Sequence, residues 1–429
     1  AAVQERIVSL YLQMTGIDRA QIEAFWRNQP ARPAAPPTGA HPDTPLYDRN
    51  SILAFATGNP SEAFGEPYRV FDHERKIARL PAPPYCFMDR VINVEPEPWQ
   101  LAPGGWVTAQ YDISETAWYF AADRSGVMPF GVLLEIALQP CGWLAAYAGS
   151  ALHSQRDLKF RNLGGKAVLH RQVTPDSGTL TMRCRMTTVS EAAEMIIENF
   201  DFEVLAGDQP VYTGDTYFGF FAAEALDRQK GLGAADPMVQ ALASFAAQSC
   251  QTAALKASFP RTPAEADGLP PTVDQLSLPA KALLMVDAIA ACQTGAEASN
   301  PAYRRGIKAV DPNEWFFKAH FYQDPVCPGS LGLESFLQLL KTMAIERWPH
   351  LTGSHRFRLA TGRPHSWTYR GQVVPKNRTV VVEALTTHVQ DGPDPTLRAD
   401  GLLSVDGLPI YKMENFELTL VPGHEDARP

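Results

Sequence analysis

The sequence predicts an α+β chain made of two tandem copies of one unit, each a run of strands around a single long helix. The first observation is internal repetition. LPAPPYCFMD (80–89) returns as LPAKALLMVD (278–287), an offset of 198, and Trp118-Tyr119-Phe120 returns as Trp315-Phe316-Phe317 at 197. Glu135 and Gln139 match Glu334 and Gln338 at 199, Gln172-Val173 and Pro175 match Gln372-Val373 and Pro375 at 200, and Pro210-Val211-Tyr212 matches Pro409-Ile410-Tyr411 at 199. Landmarks that stay in step over so long a span mean a duplication. The second observation is strand-like runs, TLTMRCRMTTV (179–189) and AAEMIIENFDFEVL (192–205), rich in β-branched and alternating residues. The third is an apolar helical stretch over 128–152, where Pro140 is expected to introduce a kink.

In chain order, residues 1–30 read as a helical segment, with Ile7, Leu10, Leu12 and Met14 in one stripe and Ile22 and Phe25 in a second. The chain starts without Met and reads as part of something longer. Residues 31–58 are a Pro-rich linker, semi-rigid where Pro33, Pro36, Pro37, Pro42 and Pro45 cluster. The first repeat spans 59–222, a helical and Pro-rich linker 223–270, and the second repeat 271–423.

A net charge of −9 argues against a general nucleic-acid binder. The six cysteines show no paired C-x-x-C spacing, so neither a metal site nor a disulfide framework is expected. They read as reduced thiols in a cytoplasmic protein. No apolar run approaches the roughly 20 residues that span a membrane.

The chemistry concentrates in WFFKAHFYQDPVCPGSLGLESFLQ (315–338). An aromatic run leads to His320, a Pro-bounded turn follows, and a helix opens near Ser330 with Glu334 and Gln338 on one face. That turn aims the first backbone N–H groups of the helix at whatever lies in front, where a developing oxyanion is favoured. Taken alone, a histidine after an aromatic run is more often a packing residue. The whole stretch, however, resembles the signature W-F-F-x-x-H-F-x-x-D-P-V-x-P-G-x-L-G-L-(D/E)-x-x-x-Q of β-hydroxyacyl thioester dehydratases of the hotdog fold, closest to the β-hydroxydecanoyl-thioester type. The departure is Glu334, where this type usually has Asp.

The resemblance implies that each copy is one hotdog, an antiparallel sheet wrapped round a central helix, and that the two form a pseudo-dimer within one chain. Tandem copies with one histidine between them look like the dehydratase didomain of a polyunsaturated fatty acid synthase. The implied activity is dehydration of 3-hydroxyacyl-carrier-protein thioesters to the trans-2-enoyl form. Some members of this type also isomerise the double bond to cis-3. No cofactor is implied beyond the phosphopantetheine arm of the carrier, and the partners are an acyl carrier protein and other domains of the same megasynthase, with a homodimer as a further option.

The copies are not chemically equal. W-F-F-x-x reaches His320 in the second copy, whereas W-Y-F-x-x reaches Asp123 in the first. In the resembling family the histidine of one half faces the carboxylate of the other. Glu135 and Glu334 are both catalytic candidates, with Glu135 favoured over Glu334 as the partner of His320 and Gln139 one turn on; Glu334 would then face Asp123 in a dead second site, and Gln338, like Gln139, is an orienting candidate. On this reading neutral His320 takes the C2 proton, protonated Glu135 supplies the leaving hydroxyl, the Gly329 N–H binds the oxyanion and the Val326 carbonyl holds the histidine tautomer. Trp315, Phe317 and Phe321 are candidates for lining the acyl channel. Asp123 reads most simply as a solvated loop residue, and His365 as a packed strand residue.

Residues 351–380 contain Arg356, Arg358, Arg363, Arg370, Lys376 and Arg378 and no carboxylate, a local basic face suited to an acidic carrier protein. Two rival readings stand beside the dehydratase: a hotdog thioesterase, which would not need His320, and a non-catalytic acyl-binding or scaffold module.

Overall fold

The structure, a computed structural model, describes residues 45–423 apart from 193–194, 247–249, 272, 274–275 and 293–301. The helix expected over residues 1–30 lies outside the described residues.

Two half-sheets account for the repeat. In the first half β1 (Arg90–Val94), β2 (Gly104–Asp112), β3 (Leu158–Leu169), β4 (Thr179–Ala192), β5 (Met195–Ala206) and β6 (Gln209–Ala222) run in the order β1-β2-β4-β5-β6-β3. After β7 (Cys250–Ala254) come β8 (Ala288–Cys292), β9 (Tyr303–Ala309), β10 (His355–Leu359), β11 (Pro364–Tyr369), β12 (Thr379–Gln390), β13 (Thr396–Val405) and β14 (Leu408–Pro422). The second half is β11-β14-β13-β12-β9-β8-β7, with β10 beside β14. The halves join by antiparallel pairing of β3 with β11, from Pro364 opposite Val168 to Thr368 opposite Gly164, so one sheet runs through both.

Alternation explains which face is covered. Along β5, Ile196, Phe200, Phe202 and Val204 point inward, and along β12 Val380, Val382 and Ala384 do the same. These faces wrap the central helices Phe130–Tyr147 and Gly329–Arg347. The first is apolar nearly all round, as a helix enclosed on every side must be, and Val132, Ile136, Cys141 and Trp143 are fully buried. By length and composition it is apolar enough to cross a membrane, yet it is the core of the first half. It runs as one α-helix through Pro140; a single missing N–H is tolerated where packing holds both flanks.

The repeat is visible atom by atom. Gln139 accepts from the Phe87 N–H at 2.7 Å and donates to the Tyr85 carbonyl at 2.8 Å. Gln338 accepts from the Met285 N–H at 2.9 Å and donates to the Leu283 carbonyl at 3.0 Å. Likewise the Trp118 indole donates to the Pro84 carbonyl and that of Trp315 to the Ala282 carbonyl. Both glutamines thus tie the loop ahead of the first strand to the central helix.

The central helices meet at their N-termini. A Cβ added at Gly131 would lie 3.3 Å from the Ser330 carbonyl oxygen and 3.5 Å from the Glu334 Cβ, so the two helices approach closely here. At this crossing the Ser330 hydroxyl donates to Glu135 Oε1 at 2.7 Å, and the Gly131 N–H reaches Glu334 Oε2 at 3.4 Å. Each glutamate therefore points across into the other copy.

Candidate active site

Beside that crossing Glu135 comes onto one cavity with His320. A cavity of about 100 Å³ is lined by Glu135, Leu138, Gln139 and Gly142 from the first central helix and by His320, Phe321, Val326, Gly329 and Ser330 from the second copy. Glu334 is not among its lining residues.

His320 closes the short helix Trp315–Ala319 and is buried. Its Nδ1 lies 3.1 Å from the Val326 carbonyl oxygen, and the Val326 N–H donates back to the His320 carbonyl at 2.8 Å. A carbonyl can only accept, so Nδ1 carries the proton and Nε2 keeps its lone pair. The turn between them is braced by the first copy: Asp324 pairs with Lys159 at 2.6 Å and Arg161 at 2.7 Å, both on β3. Burial pushes the His320 imidazole down to about 3, with Arg161 adding to that effect. Burial works the other way on Glu135, pushing its carboxyl up to about 7 against the hydrogen bonds from Ser330 and from Gln139 at 3.2 Å. A neutral imidazole and a carboxyl poised between its two forms at neutrality can serve as a base and an acid on one cavity.

Gly329 begins the second central helix, so its amide has no partner within the helix. Tyr369 packs against it: an added Cβ would sit 2.8 Å from the ring. Ser330, which bonds Glu135, and Tyr369 were not legible as site residues. Ser330 occupies a variable position of the signature, and Tyr369 lies outside it.

The pseudo-equivalent chamber is different. It is lined by Asp123, Glu334, Lys341 and Arg358 and holds about 40 Å³. Lys341 stands where the first copy has Gly142, and pairs with Asp123 at 3.0 Å. Burial alone would lower the Lys341 ammonium, but Asp123 and Glu334 outweigh it and hold it above its ordinary value. Burial raises the Glu334 carboxyl despite the nearby ammonium.

Several expectations need correction. Asp123 is not a solvated loop residue; it ends the helix Trp118–Asp123 and is 3% exposed, because a lysine 218 residues away neutralises it. Of the three aromatic channel candidates, Phe321 lines the His320 cavity and the other two do not. Trp315 packs edge-on against Trp118 and Tyr85, and Phe317 lines a separate apolar pocket. Several cations of the basic face are paired within the chain, Arg363 and Lys376 in ion pairs at the surface. Arg358 is buried and donates to the Ser125 carbonyl at 2.9 Å, Arg363 pairs with Glu417 at 3.1 Å, and Lys376 with Asp227 at 2.9 Å. Arg370 donates to the Leu163 carbonyl and the Tyr217 hydroxyl. His365 lies on β11 with Nε2 2.9 Å from the Tyr212 hydroxyl, away from the cavity.

Comparison with known proteins agrees with the duplication. The sequence profile of the FabA-like domain matches twice, at residues 80–215 and 278–414. Over 396 residues the chain is 31% identical to one of the polyunsaturated fatty acid synthase subunits of Thraustochytrium sp., covering 88% of this chain and 26% of that protein, so it spans about a quarter of that relative's length. Among solved structures, the dehydratase domain from the CurJ module of curacin polyketide synthase is 12% identical with a TM-score of 0.38, covering 78% of this chain and 96% of that one. The 12:0-ACP thioesterase of Umbellularia californica is also 12% identical, with a TM-score of 0.40 and coverage of 74% and 94%. Likenesses this distant carry no weight, but the profile matches cover well over half of the sequence: the chain belongs to the FabA-like domain family and contains two copies of its domain.

Proposed function

We propose that this chain dehydrates 3-hydroxyacyl thioesters, delivered on the phosphopantetheine arm of an acyl carrier protein, to trans-2-enoyl thioesters within a cytoplasmic polyunsaturated fatty acid synthase. The observation that carries the reading is that His320 from the second copy and Glu135 from the first line one cavity, where burial keeps the imidazole neutral and raises the carboxyl to about 7. His320 Nε2 takes the C2 proton, and its Nδ1–H stays on the Val326 carbonyl. The electron pair left at C2 moves toward the thioester oxygen, where the Gly329 amide stabilises the charge. The pair then returns to form the C2–C3 double bond as the C3–O bond breaks, Glu135 giving its proton to the departing water. Gln139 holds the loop beneath Glu135, and Phe321 and Leu138 supply apolar wall for the acyl chain.

The test follows interconversion of 3-hydroxyacyl and 2-enoyl carrier-protein thioesters by mass spectrometry. Wild type should interconvert them, His320→Ala and Glu135→Gln should lose at least about 100-fold in rate, and Glu334→Gln should lose little. The position of the double bond in the product reports isomerisation. Thioester hydrolysis instead of water loss would replace this reading by a thioesterase, and activity that vanishes with Glu334 but survives Glu135→Gln would refute the cross-copy pair.

A further inference from the structure

Tyr369 ends β11 with its side chain on the cavity that holds His320 and Glu135. The residue is 5% exposed, and its hydroxyl is buried without a hydrogen-bond partner. A buried hydroxyl left unpaired costs about 1–3 kcal/mol, so its presence asks for a partner that arrives with the substrate. Its position narrows what that partner is. A Cβ added at Gly329 would lie 3.0 Å from the Tyr369 oxygen, so the hydroxyl stands beside the first, intrahelically unpaired amide of the second central helix. The ring packs against Tyr411, the residue opposite it on β14 and also on the cavity, at a centroid separation of 4.4 Å.

The duplication supplies an internal control. At the offset of 200 that relates Gln372 to Gln172, Tyr369 corresponds to Leu169, which lines the chamber of Asp123, Glu334 and Lys341. Tyr411 corresponds to Tyr212, so the supporting ring exists in both halves, whereas the hydroxyl exists only in the half-site that has the histidine. The space beside the helix start is filled differently in the two halves, by Tyr369 over Gly329 in one and by Leu169 and Phe130 in the other, so a hydroxyl is not a requirement of the fold at this position.

Resting on the dehydratase reading, we propose that Tyr369 is a catalytic residue whose O–H, together with the Gly329 N–H, donates to the thioester carbonyl oxygen as it gains charge. No proton changes hands at this oxygen: His320 removes the C2 proton, negative charge builds on the thioester oxygen against two donors, and the electron pair returns as Glu135 protonates the departing hydroxyl. Burial keeps the phenol protonated, with its pKa well above the usual value, so it remains a donor wherever the enzyme is folded.

The experiment compares wild type and Tyr369→Phe, as the full chain, on 3-hydroxyacyl and 2-enoyl carrier-protein thioesters, with thermal melting in parallel. The expected result is a kcat reduced about 100-fold, the loss typical of one oxyanion donor, with KM changed by less than about threefold and a melting temperature unchanged or raised. A kcat equal to wild type overturns the proposal, as does a loss confined to KM. A loss that comes with a lowered melting temperature also overturns it, by assigning the hydroxyl to the frame. Failure of the parent reading is distinct: there wild type itself would not interconvert the two thioesters.

Discussion

Replacing Asp123 by Asn tests whether the second chamber is a relic converted to structural use. The perturbation removes the charge opposite Lys341, whose ammonium lies 3.0 Å from it, with the two side chains 9% and 3% exposed. Breaking a buried pair by deleting one partner typically costs 3–5 kcal/mol, because the survivor is left charged and desolvated. Here Glu334 still faces Lys341, as its effect on the ammonium indicates, so the lower end, about 3 kcal/mol, is expected. Replacing both residues, as Asp123→Leu with Lys341→Met, should recover most of that loss, since a well-packed apolar pair of similar volume is often as stable as the ion pair. The assay is urea unfolding of wild type, Asp123→Asn, Asp123→Leu, Lys341→Met and the Asp123→Leu/Lys341→Met double variant, the last three with wild type analysed as a double-mutant cycle. Dehydratase turnover at low denaturant should stay near wild type throughout, because neither residue lines the His320 cavity. Asp123→Asn within about 1 kcal/mol of wild type, or a double variant no more stable than Asp123→Leu alone, would refute this account.

Three further outcomes follow from the site. Glu135 donates only while protonated and is poised near 7, whereas His320 is pushed to about 3, so the rate should fall about tenfold per unit above pH 7 and show no rising acid limb down to about 3 until the fold fails; a bell centred near 6.5 would contradict it. Ser330→Ala removes a hydrogen bond that favours ionised Glu135, so the descending limb should move to higher pH while stability drops by about 1 kcal/mol; a limb that stays in place would show that Ser330 does not govern the carboxyl. Gly329→Ala drives a methyl to within 2.8 Å of the Tyr369 ring, which should cost about 1–3 kcal/mol of stability and most of the turnover; unchanged melting and rate would mean the ring moves freely.

What the sequence made legible was whatever repeats or is local. The paired glutamines and the tryptophan pair were readable as spacing, because each recurs at the same offset, whereas the place of Val326 opposite His320 came from the family resemblance. The cross-copy direction of Glu135 was likewise an expectation carried over from the resemblance, and the helix crossing at Gly131 and Ser330 brings Glu135 to the second copy. Partnerships between distant residues were not legible. Asp123 looked solvated because Lys341 neutralises it from 218 residues away. The basic stretch looked free because its carboxylates, Asp227 and Glu417, come from other parts of the chain. Tyr369 escaped notice for a different reason: the repeat was read for what it keeps, and this position matters for what one copy lacks.

The continuous sheet through β3 and β11 has a consequence for dosage and dilution. Two identical protomers must carry every change twice, and they separate when concentration falls below their dissociation constant. A fused pair does neither. Its halves meet at an effective concentration set by the linker, not by the cell. One chamber can therefore hold Asp123 and Lys341 where the other holds His320 and Gly142. Specific activity should stay constant on serial dilution, and each chain should serve one acyl arm at a time.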